Sequence, residues 1–184
     1  MLVALSVLVV LGVISGLRMP EPGFAPSLVR DAMVPTSPPR PLVALASVDA
    51  DGGSLPFNRR VTRPTVISFW ATWCQPCLHE LPSLGQFKTM AAAAGIDVLT
   101  VSEDRGGAGP PVKLLAEKGL SFLPLVVDAD GALAQALGIR GMPTMLVVNG
   151  RGEEVARMEG GADWSRPESL EAVTGLLAAA APVR

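Results

Sequence analysis

The sequence is short of metal ligands: its 184 residues include two cysteines and one histidine, His79. A structural zinc site draws on about four such side chains, so a zinc-built domain is excluded. Positive charge is not in excess either. A formal net charge of -2 gives no long-range pull on a polyanion, which removes nucleic acid from the expected partners. No block recurs at a fixed period, which excludes a solenoid. No P-x-x-x-T-x-x-C stretch is present to seat the lone cysteine of a thiol peroxidase. What remains is a chain that is 49% hydrophobic and 17% charged, enough for one buried core with an appendage.

The appendage is N-terminal. Residues 1–17, MLVALSVLVVLGVISGL, carry no charged side chain before Arg18. As a helix they would span roughly 25 Å, close to the about 30 Å of a bilayer core. A retained signal anchor and a cleaved signal peptide compete for residues 1–18. The apolar run slightly exceeds a usual signal core and no clear small-x-small cleavage site follows it, which favours the anchor. Arg18 stands on the flank that would be exported, a departure from the positive-inside pattern. Residues 19–41 hold seven prolines without helical or alternating apolar order and read as a tether, although Phe24, Leu28 and Val34 could dock part of it. Residues 42–184 are then the folded domain.

Within that domain, PLVALASVDADGGSL ends in a turn signal and predicts a strand pair. RPTVISFW is rich in β-branched and aromatic residues and largely apolar on both faces, the pattern of a buried central strand. A helix follows from Gln75 to Ala94, kinked at Pro82 and stopped by Gly95. IDVLTVSED, LPLVVD and PTMLVVN predict further strands; PPVKLLAEKGL, GALAQALG and the stretch from Arg166 to Ala181 predict helices. NGRG turns the chain into EEVARMEG. The expected class is α/β, a mixed central sheet covered by helices on both faces, preceded by a membrane helix.

Both cysteines lie in SFWATWCQPCLHE, between the central strand and the helix. A free thiol has a pKa of about 8.5 and is mostly un-ionised at neutral pH. A cysteine placed just before a helix faces unpaired N–H groups and the positive end of the macrodipole, which favour its anion. Cys74 has that position, and Cys77, one turn on, can attack a mixed disulfide formed at Cys74 or bridge to it. Pro76 suits the first turn, where its missing N–H costs nothing. A purely structural bridge would close too short a loop to stabilise much. The pair therefore reads as a dithiol switch that calls for no metal and no cofactor. Trp73 offers an apolar platform beside the sulfur, Trp70 belongs in the core below, Trp164 reads as structural, and His79 as a solvent-facing helix residue.

FWATWCQPCLHELP, DADGALAQALGIRGMPTMLVVNGRGEEVARMEG and GGADW together resemble the TlpA/ResA-like, membrane-anchored, exported thiol:disulfide oxidoreductases of the thioredoxin superfamily. The resemblance runs from about Leu42 to Ala179 and implies a thioredoxin-like fold. It implies that Pro143 is a cis-proline facing the cysteines and that Met142 presents its backbone to a client strand. Thioredoxins proper carry a buried aspartate six residues before the first cysteine; here Ser68 stands there and cannot ionise usefully. The resemblance passes the proton-handling role to Glu80, three residues after Cys77 on the same helical face. Burial would raise its pKa toward neutrality.

The expected site is therefore Cys74, Cys77 and Glu80, with Trp73, Met142 and Pro143 toward the client. The expected function is reduction of disulfides in client proteins with reducible cysteines, in the bacterial envelope, with the domain facing the periplasm. The resemblance implies cytochrome c maturation or copper-centre assembly as client pathways. A membrane electron donor would re-reduce the pair. A dithiol oxidase and a copper(I) metallochaperone using the same cysteines are the alternatives.

Overall fold

The computed structural model describes residues 28–181. The expected membrane helix, residues 1–18, lies outside them. No helix among the described residues is long and apolar enough to cross a membrane.

Eight strands form one sheet: β1 (Val34–Pro41), β2 (Ala46–Asp49), β3 (Ser54–Pro56), β4 (Thr65–Trp70), β5 (Asp97–Ser102), β6 (Leu125–Val127), β7 (Thr144–Val148) and β8 (Glu153–Glu159). Their spatial order is β1-β8-β7-β4-β5-β6-β2-β3. β4, β5 and β6 run parallel, and the remaining neighbours pair antiparallel. The helices are α1 (Val29–Ala32), α2 (Gln75–Ala92), α3 (Gly109–Glu117), α4 (Ala132–Leu137) and α5 (Pro167–Ala179).

Alternation along β4 divides the core. Val66 and Trp70 face one cluster with Leu81, Leu84 and Phe87 of α2 and Val173 of α5. Ile67 and Phe69 face the other, with Leu133 and Leu137 of α4 and Phe57. Because every residue of β4 is buried, its sequence has no solvent-facing side, and this explains why RPTVISFW reads as largely apolar on both faces. α2 runs through Pro82 as a single element. Phe87 meets Trp164 edge to face, with ring centroids 5.0 Å apart, and locks α2 against the segment before α5.

Just past the Lys118 cap of α3 comes Gly119, whose φ of 69° lies in the left-handed region. Its N–H bonds the Ala116 carbonyl and that of Leu120 bonds the Leu115 carbonyl, so two end carbonyls are satisfied. A Cβ there would meet nothing within 4 Å, so Gly119→Ala loses no contact and costs only backbone strain. The expected loss is about 1–2 kcal/mol, read as a lower urea midpoint at constant slope; an unmoved midpoint would contradict it.

The expected tether requires correction over residues 29–41. These residues form α1 and β1, so the folded domain begins before Leu42. Val29 and Met33 are buried, and α1 packs on α5. Four of the eight residues of β1 are proline, a composition that argues for a solvated linker. The strand nonetheless pairs with β8, Val34 opposite Arg157 and Arg40 opposite Glu154, with a register shift between. Two features permit it. β1 is an edge strand, so missing donors on its outer side break no ladder. Side chains supply the lost bonding: Thr36 Oγ1 donates to Glu154 Oε1 at 2.9 Å, and Arg40 Nη2 donates to Oε1 at 2.8 Å and Oε2 at 3.1 Å.

Candidate active site

Cys74 is the N-cap of α2, with extended backbone at φ -87° and ψ 96°. Its sulfur accepts the Cys77 N–H at 3.3 Å, so a backbone donor points at the atom that would carry negative charge after reduction. Pro76 occupies the first turn, where no intrahelical N–H is needed. Cys74 and Cys77 are joined as a disulfide with Cα atoms 5.3 Å apart. Their exposures differ, 6% for Cys74 against 1% for Cys77. Cys74 is thus the nearer of the two to solvent.

The loop before Cys74 is held by Asp104, two residues past β5. Asp104 accepts the Thr72 N–H at 3.0 Å on Oδ2 and the Thr72 hydroxyl on Oδ1, while the Ser102 hydroxyl donates to Oδ2 at 2.7 Å. A cavity of about 600 Å³ opens beside Cys74, bounded by Trp73, Gln75, Pro76, Glu103 and the segment from Ile139 to Met142. Trp73 is 65% exposed and forms an apolar wall. Met142 is on the cavity, and Pro143, buried, follows it across a cis peptide bond. The structure thus gathers Cys74, Trp73 and Met142 around one opening.

Glu80, three residues after Cys77 along α2, is 2% exposed. Its Oε1 accepts the Ala162 N–H at 3.0 Å and the Trp164 indole N–H at 2.7 Å. Both donors converge on Oε1, so the proton of the neutral acid belongs on Oε2. Burial, the largest influence, raises the pKa from its ordinary 4.5 to about 7, against the pull of those two donors. A carboxyl tuned near neutrality can both accept and return a proton. His79 is exposed, and Trp70 is fully buried under the site.

Sequence reasoning missed two features. Trp164 reads as structural, yet its indole holds Glu80 in place. Glu103 sits at the end of β5 with Oε1 buried and no hydrogen-bond partner among the described residues. Burial first, and the nearby Asp128 carboxylate second, raise its pKa. Its place at the carboxyl end of a parallel strand, where α/β sites gather, was the available signal. Among the described residues no group of three or more His, Cys, Asp or Glu could hold a metal ion.

The chain is similar to known proteins in sequence and in fold. The chain is 28% identical over 113 residues to the thiol-disulfide oxidoreductase ResA of Halalkalibacterium halodurans, covering 61% of this chain and 63% of that one. It is 31% identical over 135 residues to the thiol:disulfide interchange protein DsbE of Yersinia pestis, covering 71% and 66%. The chain therefore spans somewhat less than two thirds of the length of these relatives. Among solved structures it superposes on the exposed lipoprotein thioredoxin Etrx1 of Streptococcus pneumoniae at a TM-score of 0.54 and 26% identity, covering 73% and 98%. A thioredoxin-family thiol:disulfide interchange protein of Chlorobium tepidum matches in fold at 0.60 and 21% identity, covering 77% and 99%. The Redoxin family model matches residues 31–174, most of the described fold, and with these relatives it establishes that the chain belongs to the Redoxin family, as a TlpA/ResA-like member of the thioredoxin superfamily.

Proposed function

We propose that the protein is an exported, membrane-tethered thiol:disulfide oxidoreductase that reduces disulfides in client proteins. The unequal exposure of the two cysteines, with Cys74 lining the cavity and Cys77 not, is the observation that carries this reading. In the reduced enzyme the Cys74 thiolate attacks one sulfur of the client disulfide; an S–S bond to the client forms, the client bond breaks, and one client thiolate leaves. Cys77 then attacks the Cys74 sulfur, the mixed disulfide breaks, and the second client thiolate leaves. The two electrons lost by the enzyme thiols are those gained by the client.

Glu80 takes the Cys77 proton as that sulfur becomes nucleophilic. Met142, before the cis-proline, offers its backbone to an extended client segment, and Trp73 covers the sulfurs from water. A membrane electron donor restores the dithiol, and residues 1–18 hold the domain at the outer face of the bacterial inner membrane. Haem-site cysteines of apocytochrome c and cysteines of a copper site are the client classes that fit.

Equilibration with defined thiol buffers tests the direction of electron flow. A reductase is expected near the reducing end of the range from roughly -270 to -120 mV, together with catalysed reduction of a protein disulfide. A potential at the oxidising end would support the dithiol oxidase, and failure to exchange with any protein disulfide would end the proposal.

A further inference from the structure

The segment from Ile139 to Met142, which walls the cavity beside Cys74, has little regular structure of its own and is pinned at its ends. At the far end Thr144 Oγ1 donates to the Gly141 carbonyl at 2.7 Å, and Gly160 N–H donates to the Pro143 carbonyl at 2.8 Å. The near end is the close of α4, where carbonyls are left without helical partners. Arg157 of β8 meets them. Its Nη2 donates to the Leu137 carbonyl at 3.0 Å and its Nη1 to the Gly138 carbonyl at 3.2 Å. A cation at a helix C-terminus is also favoured by the macrodipole.

The same guanidinium is gripped from the other side. Nε donates to Glu154 Oε1 at 2.8 Å and Nη2 to Oε2 at 2.9 Å, a fork on a carboxylate that is only 2% exposed. Glu154 is held in turn by Thr36 and Arg40 of β1. The side chain has its orientation fixed by a buried anion, and its remaining donors are aimed at the start of the cavity wall.

We propose that Arg157 is a positioning residue for client binding: braced by Glu154, it fixes the end of α4 so that the Ile139 to Met142 segment holds the Met142 backbone against Cys74. It touches neither sulfur nor client. The proposal rests on the oxidoreductase reading and adds a device that sets client affinity without touching thiol chemistry. A substrate that uses the cavity backbone should feel its loss; one without a peptide backbone should not.

The test compares the full chain with its Arg157→Met and Arg157→Lys variants on two disulfides, a peptide disulfide in an extended sequence and cystamine, together with the reduction potential. Lysine keeps a cation beside Glu154 and so secures a folded protein should methionine fail to, yet one ammonium cannot span a carboxylate and two carbonyls. The expected result is a KM for the peptide raised about tenfold, with kcat, the cystamine rate and the potential unchanged. A peptide KM that stays at the wild-type value, or losses that run in parallel on both disulfides, would overturn it. A wild-type chain inert toward both would remove the oxidoreductase reading and the proposal together.

Discussion

Cys77→Ser is expected to trap clients on Cys74 as stable mixed disulfides, whereas Cys74→Ser is expected to capture none and to lose at least about a thousandfold in exchange rate. The asymmetry follows from the way α2 begins. Cys74 caps the helix, borders the cavity and has a backbone N–H directed at its sulfur. Cys77 sits inside the first turn at 1% exposure and can reach a sulfur only through Cys74. A serine at 77 leaves nucleophilic attack intact but cannot displace the bound client, so the adduct persists. Non-reducing electrophoresis of envelope extracts, followed by identification of what is attached, reads this directly. Equal trapping by the two variants would mean that the sulfurs are interchangeable, and the assignment of attacker and resolver would fall.

Glu80→Gln should make the oxidised protein more stable at pH 8 by about 3 kcal/mol, while leaving it near the wild type at pH 4. The native carboxyl has its pKa raised from 4.5 to about 7, so between those values the folded state holds a proton that the unfolded state has released. Stability from this group is therefore complete below about pH 4.5 and is lost as pH rises through about 7. Glutamine imitates the neutral acid: its carbonyl oxygen can accept from Ala162 and Trp164, and it never ionises. Urea unfolding of the disulfide form isolates this effect, because bridged cysteines do not titrate. In the reduced protein the same substitution should remove the inflection near pH 7 from the Cys77 resolution rate. If the stability difference between variant and wild type is the same at pH 5 and pH 8, the buried-acid account of Glu80 is wrong.

The parts of the fold that could be read from sequence are those whose signal is local. β4 through β7 announce themselves as apolar runs because both sheet faces are covered. The β2–β3 hairpin is marked by its turn residues, and α2 by the cysteine pair at its start. What escaped depends on partners far along the chain. β1 owes its place to Glu154, more than a hundred residues away, and no local pattern in a proline-rich octapeptide reveals that. The donors that hold Glu80 come from 82 and 84 residues downstream, so its position on the helix was legible while the grip on Oε1 was not. Glu103 carried no mark in the sequence, because the lack of a hydrogen-bond partner at its buried Oε1 is a property of the folded chain.

The prolines of β1 have a consequence for the company the protein keeps. A free strand edge is a template for main-chain pairing with another extended chain. With half of its residues unable to donate and its register broken, the outer margin of this sheet resists such recruitment.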